Sequence, residues 1–575
     1  MAAPPSFEVF GTNNAALFSL KIFRGEGMVL LGMDWKNDQR PPDNFAGFGI
    51  EYQTPGSTQF TPVKNRLSFL KPDGTVNDAA SSSLQSPVQK FRWAHFPFDA
   101  DQPGDFTYRV TPVFMDGEGN LSQGDMQQAS IQLMGETYPG ELNVAFTRGF
   151  VSSQAFIDNF APNGEADLMK IMPSSANAGL KFTSSNQNAL AWMGFEARTA
   201  ILKVLDDAIA DPTAQVRAAA YDLNEPEIVD RLVQLKNRVQ VIIDNSGSHG
   251  VSGSAEDQAT DMLTTSAGAN NVQRQHMGDL QHNKFIAVNG NNVQAVVFGS
   301  TNFSWRGFFI QNNNALIVYG PTAVQAGFQA FHNLWNNPDN PAGFGATTSA
   351  GWNDLKLQDV DAQVSFSPHS SQNALLQKIA DDISTTSSSL FYSLAFLYQT
   401  PGPILKSITD ITGNSNIFVY GISDKNVGGL DLQKPDGNKP IAFPGALLKN
   451  VPEPFKTEAS GGAGIHMHHK FVVIDFDKPT ARVYMGSYNF SSSADTKNGE
   501  NLVLIKDRRV AVSYMIEAVT MFDHYEYRDV QQKATAQGTK LCLQTPPRNP
   551  GDKPWFDEDF TNPQKMRDRK LFSQQ

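Results

Sequence analysis

The 575-residue sequence predicts an α/β protein: two similar lobes forming a pseudo-two-fold body, preceded by a small all-β sandwich domain. Three observations predict it. A motif recurs. His282-Asn283-Lys284 precedes Gly299-Ser300-Thr301-Asn302, and His468-His469-Lys470 precedes Gly486-Ser487-Tyr488-Asn489 at a nearly equal offset, which points to duplicated structure. Around each copy, strand-like apolar runs alternate with segments of helical period, the pattern of a sheet covered by helices. Before residue 141 this alternation is missing, and short aromatic and β-branched runs are separated by turn clusters instead.

Taken in order, residues 1–140 form the β domain. Val29–Trp35, Phe48–Gln53, Val88–Phe98 and Asp105–Phe114 read as strands, punctuated by Lys71-Pro72-Asp73-Gly74 and Asp116-Gly117-Glu118-Gly119-Asn120. The first lobe is assigned to 141–345. Glu196–Asp211 has apolar residues at helical spacing, Gln215–Tyr221 reads as a strand, and Asn224 caps a helix opening at Pro226. Val239–Ile243 is a buried strand, and His282–Val288 pairs with Val293–Gly299 across an Asn-Gly turn. The second lobe, 346–545, repeats this order, with motif strands His468–Ile474 and Val483–Gly486 and a helix from Val510 to Asp523. Residues 338–360, rich in Pro, Gly and Asn, link the lobes, and 546–575 is a surface tail. The long turn-rich insertion between Asp424 and His466 reads as a lid or substrate wall, or as plain surface decoration.

Composition narrows the function classes. Hydrophobic residues at 40% supply ample core, and the length exceeds what one core spans. The net charge of −12 argues against broad, sequence-independent nucleic-acid binding, which rests on Lys/Arg–phosphate contacts. Cys542 is the single cysteine, so intramolecular disulfides and multi-cysteine zinc sites are excluded. The start lacks the basic and apolar regions of a signal peptide, and no apolar run is long enough to span a bilayer. The chain reads as soluble, cytoplasmic or leaderless-secreted, and as a monomer with an internal pseudo-dimer.

Side chains alternate along a strand, so His282 and Lys284 share a face, as do His468 and Lys470, while Asn283 and His469 point into packing. Joining the copies brings two histidines, two lysines and the amides of Asn302 and Asn489 to one cavity. Lysines and amides can hold phosphoryl oxygens, while one histidine attacks phosphorus and the other moves protons. The lysines supply the positive charge, so neither a metal nor a cofactor is expected. A zinc reading of His466-Met467-His468-His469 is disfavoured by Lys470 on the same face. His249 and His276 are isolated and read as surface or loop histidines, and Arg148 and Trp192 as packing. Trp305, Phe308 and Phe309 line an acyl entrance or belong to the core.

These motifs resemble the phospholipase D superfamily signature, His-x-Lys-x4-Asp followed by Gly-Ser/Gly-x-Asn, over roughly residues 140 to 575. The second copy fits fully, through His468, Lys470, Asp475, Gly486, Ser487 and Asn489. The first departs at Asn289, where the family has aspartate. The resemblance implies a covalent phosphohistidine on the first-motif histidine, His282, with His468 as acid and base. Glu500 stands where family members carry a carboxylate orienting a histidine, and Asn313 holds the matching place in the first copy. The expected pairings are Glu500 with His468 and Asn313 with His282. The implied activity is hydrolysis of a phospholipid head-group phosphodiester to phosphatidic acid, with transphosphatidylation when an alcohol competes. The implied partners are a phospholipid or other phosphodiester and, transiently, a membrane surface. A nuclease of the same superfamily and a catalytically weak binding protein with a degenerate first motif are the alternatives.

Overall fold

The computed structural model describes residues 4–574 apart from 72, 77–80, 98, 134, 150–155, 157–158, 164, 398–399, 425–429, 434–440 and 443–466. Most of the insertion after Asp424, and His466, lie outside the described residues. The chain forms two compact units, Glu136–Ala511 and Ala2–Gly135 with Val512–Gln575.

The first unit holds both lobes. In the first lobe, seven strands run in the order 142–146, 314–319, 294–299, 284–289, 215–220, 239–244, 272–275. In the second, the order 361–367, 500–506, 482–486, 470–474, 389–394, 418–424 repeats the first six, flanked by the short strands 353–354, 430–433 and 441–442. The pairing senses repeat as well. Gln215–Ala220 is parallel to Val239–Asp244, Ser389–Leu394 is parallel to Phe418–Asp424, and each is antiparallel to its motif strand. The lobes diverge at the next strand, which is parallel in the first and antiparallel in the second.

Local chemistry explains the helices that cover these sheets. Gln187–Ala210 is capped by the Asn186 side chain, which accepts the Ala189 N–H at 3.0 Å. It buries Leu190, Met193, Ala197, Ile201, Val204, Leu205 and Ala208, which fall on one helical face. Pro226–Leu235 has proline in its first turn, but its cap is Glu225, whose carboxylate accepts the Ile228 N–H at 3.0 Å. Asn224, expected as that cap, accepts the Trp305 N–H instead. Ala255–Ala267 has no counterpart in the sequence reading, because its buried face is mostly alanine and gives little contrast. Ser254 caps it, accepting the Asp257 N–H at 3.1 Å. Among the described residues, no helix is long and apolar enough to cross a membrane.

The second unit is a β-sandwich. One sheet orders 8–10, 18–24, 29–35, 92–95; the other orders 121–123, 105–115, 45–53, 61–62, with 127–132 also on 105–115. Phe18, Leu20, Leu31 and Trp35 of one sheet meet Phe45, Phe48, Phe106 and Tyr108 of the other in one core. The residues assigned to a surface tail belong here. Phe556 is fully buried in that core, and Trp555 and Phe560 pack against it. The unit's second segment begins at Val512, well before the expected boundary at 546, because helix Arg508–Ala536 carries residues that bond to the sandwich. Ser513 donates to Glu26 at 2.8 Å, and Arg92 to Asp523 at 3.0 Å.

Candidate active site

The motif strands, Lys284–Asn289 and Lys470–Ile474, are paired on both sides and lie mid-sheet. The histidines sit just ahead of them, in the loops where the lobes meet, rather than inside the strands as the sequence suggests. The loops knit the lobes together through Gly499 N–H to Leu280 O, Gly278 N–H to Lys497 O and His468 N–H to Asn312 O. The outward-facing motif residues serve the same junction. Asn501 donates to Asn283 at 3.2 Å, and Asn314 contacts His469 Nδ1 at 3.2 Å.

The Gly-Ser-x-Asn turns are equally constrained. Gly299 and Gly486 have φ of +136° and +144°, and a Cβ on either would strike the carbonyl of Asn314 or Asn501. Only glycine fits such positions without strain. Ser300 donates its hydroxyl to Asn313 Oδ1 at 2.9 Å, and Ser487 hydrogen-bonds Glu500.

Those two residues then cross between lobes, which reverses the expected pairings. His282 Nδ1 lies 2.7 Å from Glu500 Oε2, and His468 Nδ1 lies 2.8 Å from Asn313 Oδ1 and 3.1 Å from Ser300 O. Each lobe's orienter projects from its sheet toward the pseudo-dyad and so reaches the other lobe's histidine. Sequence offset alone carries no information on that crossing. With acceptors at both Nδ1 atoms, each neutral ring keeps its proton there and leaves Nε2 as the basic nitrogen. The ring centroids stand 6.4 Å apart.

Lys284 and Lys470 each donate to the carbonyl of their own histidine, at 2.5 and 2.7 Å. Burial pulls the Lys284 ammonium down to about 7, against the pull of Glu500, Asp222 and Asp244. Burial, reinforced by the two lysines, holds both histidines well below the ordinary imidazole range, and burial pushes Glu500 up to about 8. The arrangement therefore favours neutral imidazoles beside lysines. Asn302 and Asn489 complete the set. Their amide oxygens are buried without a hydrogen-bond partner among the described residues, an arrangement proteins seldom tolerate away from a ligand site.

The departures in the first copy separate into two kinds. Asp475 accepts the backbone N–H groups of Ser387, Ser388 and Ser389, capping the start of the neighbouring strand. Asn289 is exposed, and Asp211 ties the equivalent corner by accepting from Thr213 and Asn292. The missing aspartate is thus a matter of scaffold. Asn313, by contrast, touches a motif histidine.

Tyr221 was missed by sequence reasoning. Its ring lies 4.8 Å from His282 and 4.6 Å from His249, and Lys284 Nζ sits 4.8 Å over its face. Only its position one residue past the strand that pairs with the motif strand signals it. The second lobe has Ala395 there. His249 is no isolated surface residue, since it bonds Asp244 and Asp222. His276 contacts Asn245 at 2.9 Å. Trp305, Phe308 and Phe309 are buried in the core, at 5%, 1% and 0% exposure, and Trp305 also lines a cavity with Asp222 and His249. Arg148 stacks over Phe195 and Trp192, as packing.

A family model described as "Cardiolipin synthase, PLD-like domain" matches residues 205–335 and 439–521. A phospholipase D of Rickettsia prowazekii (strain Madrid E) is 48% identical over 48 residues, 8% of this chain, and the chain spans 22% of that relative's length. Among solved structures, phosphatidylserine synthase of Haemophilus influenzae Rd KW20 is 15% identical, covering 58% of this chain and 85% of that one, with a TM-score of 0.41. Nuc of Salmonella typhimurium, a phospholipase D family member, is 25% identical over 25% of this chain and 89% of its own, with a TM-score of 0.21. With both His-x-Lys motifs meeting between two like lobes, the chain is similar to the phospholipase D superfamily over residues 205–335 and 439–521.

Proposed function

We propose that this chain is a phosphodiesterase of phospholipase D type, which cleaves the head-group phosphodiester of a phospholipid through a phosphohistidine on His282. The observation that carries the reading is the facing pair of histidines, 6.4 Å apart between ring centroids, each oriented at Nδ1 from the opposite lobe. His282 Nε2 gives its electron pair to phosphorus as the bond to the leaving alkoxide breaks, and His468 passes a proton to that oxygen. Water, or a competing alcohol, then attacks phosphorus while His468 takes its proton. The phosphorus–nitrogen bond breaks and its electron pair returns to His282.

The orienters fit these roles. Attack makes the His282 ring cationic, and the Glu500 carboxylate stabilises that charge. His468 must release its proton, and the amide of Asn313 holds it less strongly than a carboxylate would. Binding an anionic diester restores protons to Lys284 and His468 that burial has displaced. The buried lysines and the amides of Asn302 and Asn489 are then placed to stabilise the charge growing on the phosphoryl oxygens. Lipid as substrate is supported by the phospholipase D relatives and by the acidic net charge.

Turnover of bis(p-nitrophenyl) phosphate with EDTA present tests the reading, in wild type, His282→Ala and His468→Ala. Activity that survives the chelator and vanishes in both variants is expected, as is faster turnover of phosphatidylcholine vesicles than of single-stranded DNA. Preferential DNA cleavage would replace the lipid assignment with a nuclease. Inactivity toward all three substrates would favour a binding protein.

A further inference from the structure

Beside the phosphodiester site lies a cavity of about 270 Å3, at the carboxyl ends of the parallel strands Gln215–Ala220 and Val239–Asp244. Open α/β sheets hold ligands in that position. Asp222, His249 and Glu256 line the cavity, and one donor atom from each lies within 4.8 Å of the others. His249 presents Nε2 to Asp222 Oδ1 at 3.2 Å, while its Nδ1 lies 2.8 Å from Asp244 Oδ2. Asp244 is fully buried and held in turn by Ser246 and by the Gln281 N–H, at 2.5 to 2.9 Å. A carboxylate locked onto one imidazole nitrogen is how metal-ligating histidines are oriented, because it fixes the ring and leaves the other nitrogen as the ligand.

Glu256 supplies a second, independent observation. It is 3% exposed, and one carboxylate oxygen accepts the Leu223 N–H at 3.1 Å. Its carboxylate also faces His249 and Asp222 across the cluster. Burying a carboxylate beside another costs free energy that a bound cation removes.

We propose that Asp222, His249 and Glu256 bind a divalent transition-metal cation of the zinc class, which a set of one imidazole and two carboxylates suits. The ion takes the place of the proton that joins His249 to Asp222. The site is separate from the phosphodiester chemistry. One aromatic ring, Tyr221, stands between His249 and His282, so the ion braces the wall behind the nucleophile without touching substrate.

Zn2+ titration of the full chain, stripped with chelator and followed by calorimetry without substrate, tests this apart from any activity. One equivalent is expected to bind. Glu256→Gln, which keeps an acceptor for Leu223, and His249→Ala are expected to abolish it. Asp244→Asn should weaken it about 10- to 100-fold, and His468→Ala should leave it intact. Circular dichroism checks that each variant is folded, and Glu256→Gln alone decides the matter if His249→Ala is not. Absence of stoichiometric binding in the wild type, unchanged binding in Glu256→Gln, or loss in His468→Ala would each overturn the proposal.

Discussion

Replacing Glu500 by glutamine isolates the cross-lobe contact on which the assignment of roles depends. The carboxylate is fully buried, 2.7 Å from His282 Nδ1, and receives Ser487 and the Asn498 amide on its flanks. A charge-assisted hydrogen bond contributes about 1.5–3 kcal/mol and a neutral one about 1 kcal/mol. The difference, about 1–2 kcal/mol, is felt when the His282 ring becomes cationic, which lowers kcat by roughly 5- to 30-fold. Stability should not suffer, because glutamine keeps a hydrogen-bond acceptor and removes a buried ionisable group; Tm is expected to hold or rise. Rapid-quench measurement of the phosphoenzyme should place the defect in its formation. The geometry makes a sharper demand in double-mutant cycles on unfolding free energy. Glu500→Gln with His282→Ala should show coupling of about 0.5–3 kcal/mol, and Glu500→Gln with His468→Ala should be additive within about 0.5 kcal/mol. Coupling to His468 instead, or a kcat change below about twofold, would refute the reasoning.

Four further outcomes follow from the site and its scaffold. The rate needs Glu500 ionised, so kcat/KM should rise with pH through about 8, and needs Lys284 charged, so it should fall above about 7. The profile is therefore a narrow bell between those values, and Glu500→Gln should erase its acid limb. Because unfolded lysine holds its proton to higher pH than buried Lys284 does, the unfolded state binds more protons between about 7 and about 10.4. Lys284 thus makes stability rise with pH across that window, a slope that urea melts should lose in Lys284→Met. Asn289→Asp should change activity less than about twofold, whereas Asp475→Asn should cost about 1–3 kcal/mol in the same melts through the three backbone N–H groups it caps. Phe309→Ala, in the core, should cost about 3–5 kcal/mol and leave the choice of lipid chain unaltered.

Much of this molecule can be read from residue order. Duplication of His-x-Lys and Gly-Ser-x-Asn marks both lobes, and the regular alternation of apolar runs locates the strands around Val239, Lys284 and Lys470 within a residue or two. These features are local: period, glycine conformation and turn chemistry act over a few residues, so sequence records them directly. Helix Ala255–Ala267 escaped because alanine faces carry little hydrophobic contrast, and Trp555 and Phe556 looked like a tail because nothing nearby in sequence reveals the sandwich core they enter. The pairing of Glu500 with His282, the meeting of Tyr221 with both His249 and His282, and the grouping of Asp222 with Glu256 were decided by tertiary structure alone. Each joins residues from different elements or lobes, and which atoms meet there depends on how two sheets dock across a pseudo-dyad, a geometry that spacing along the chain does not encode.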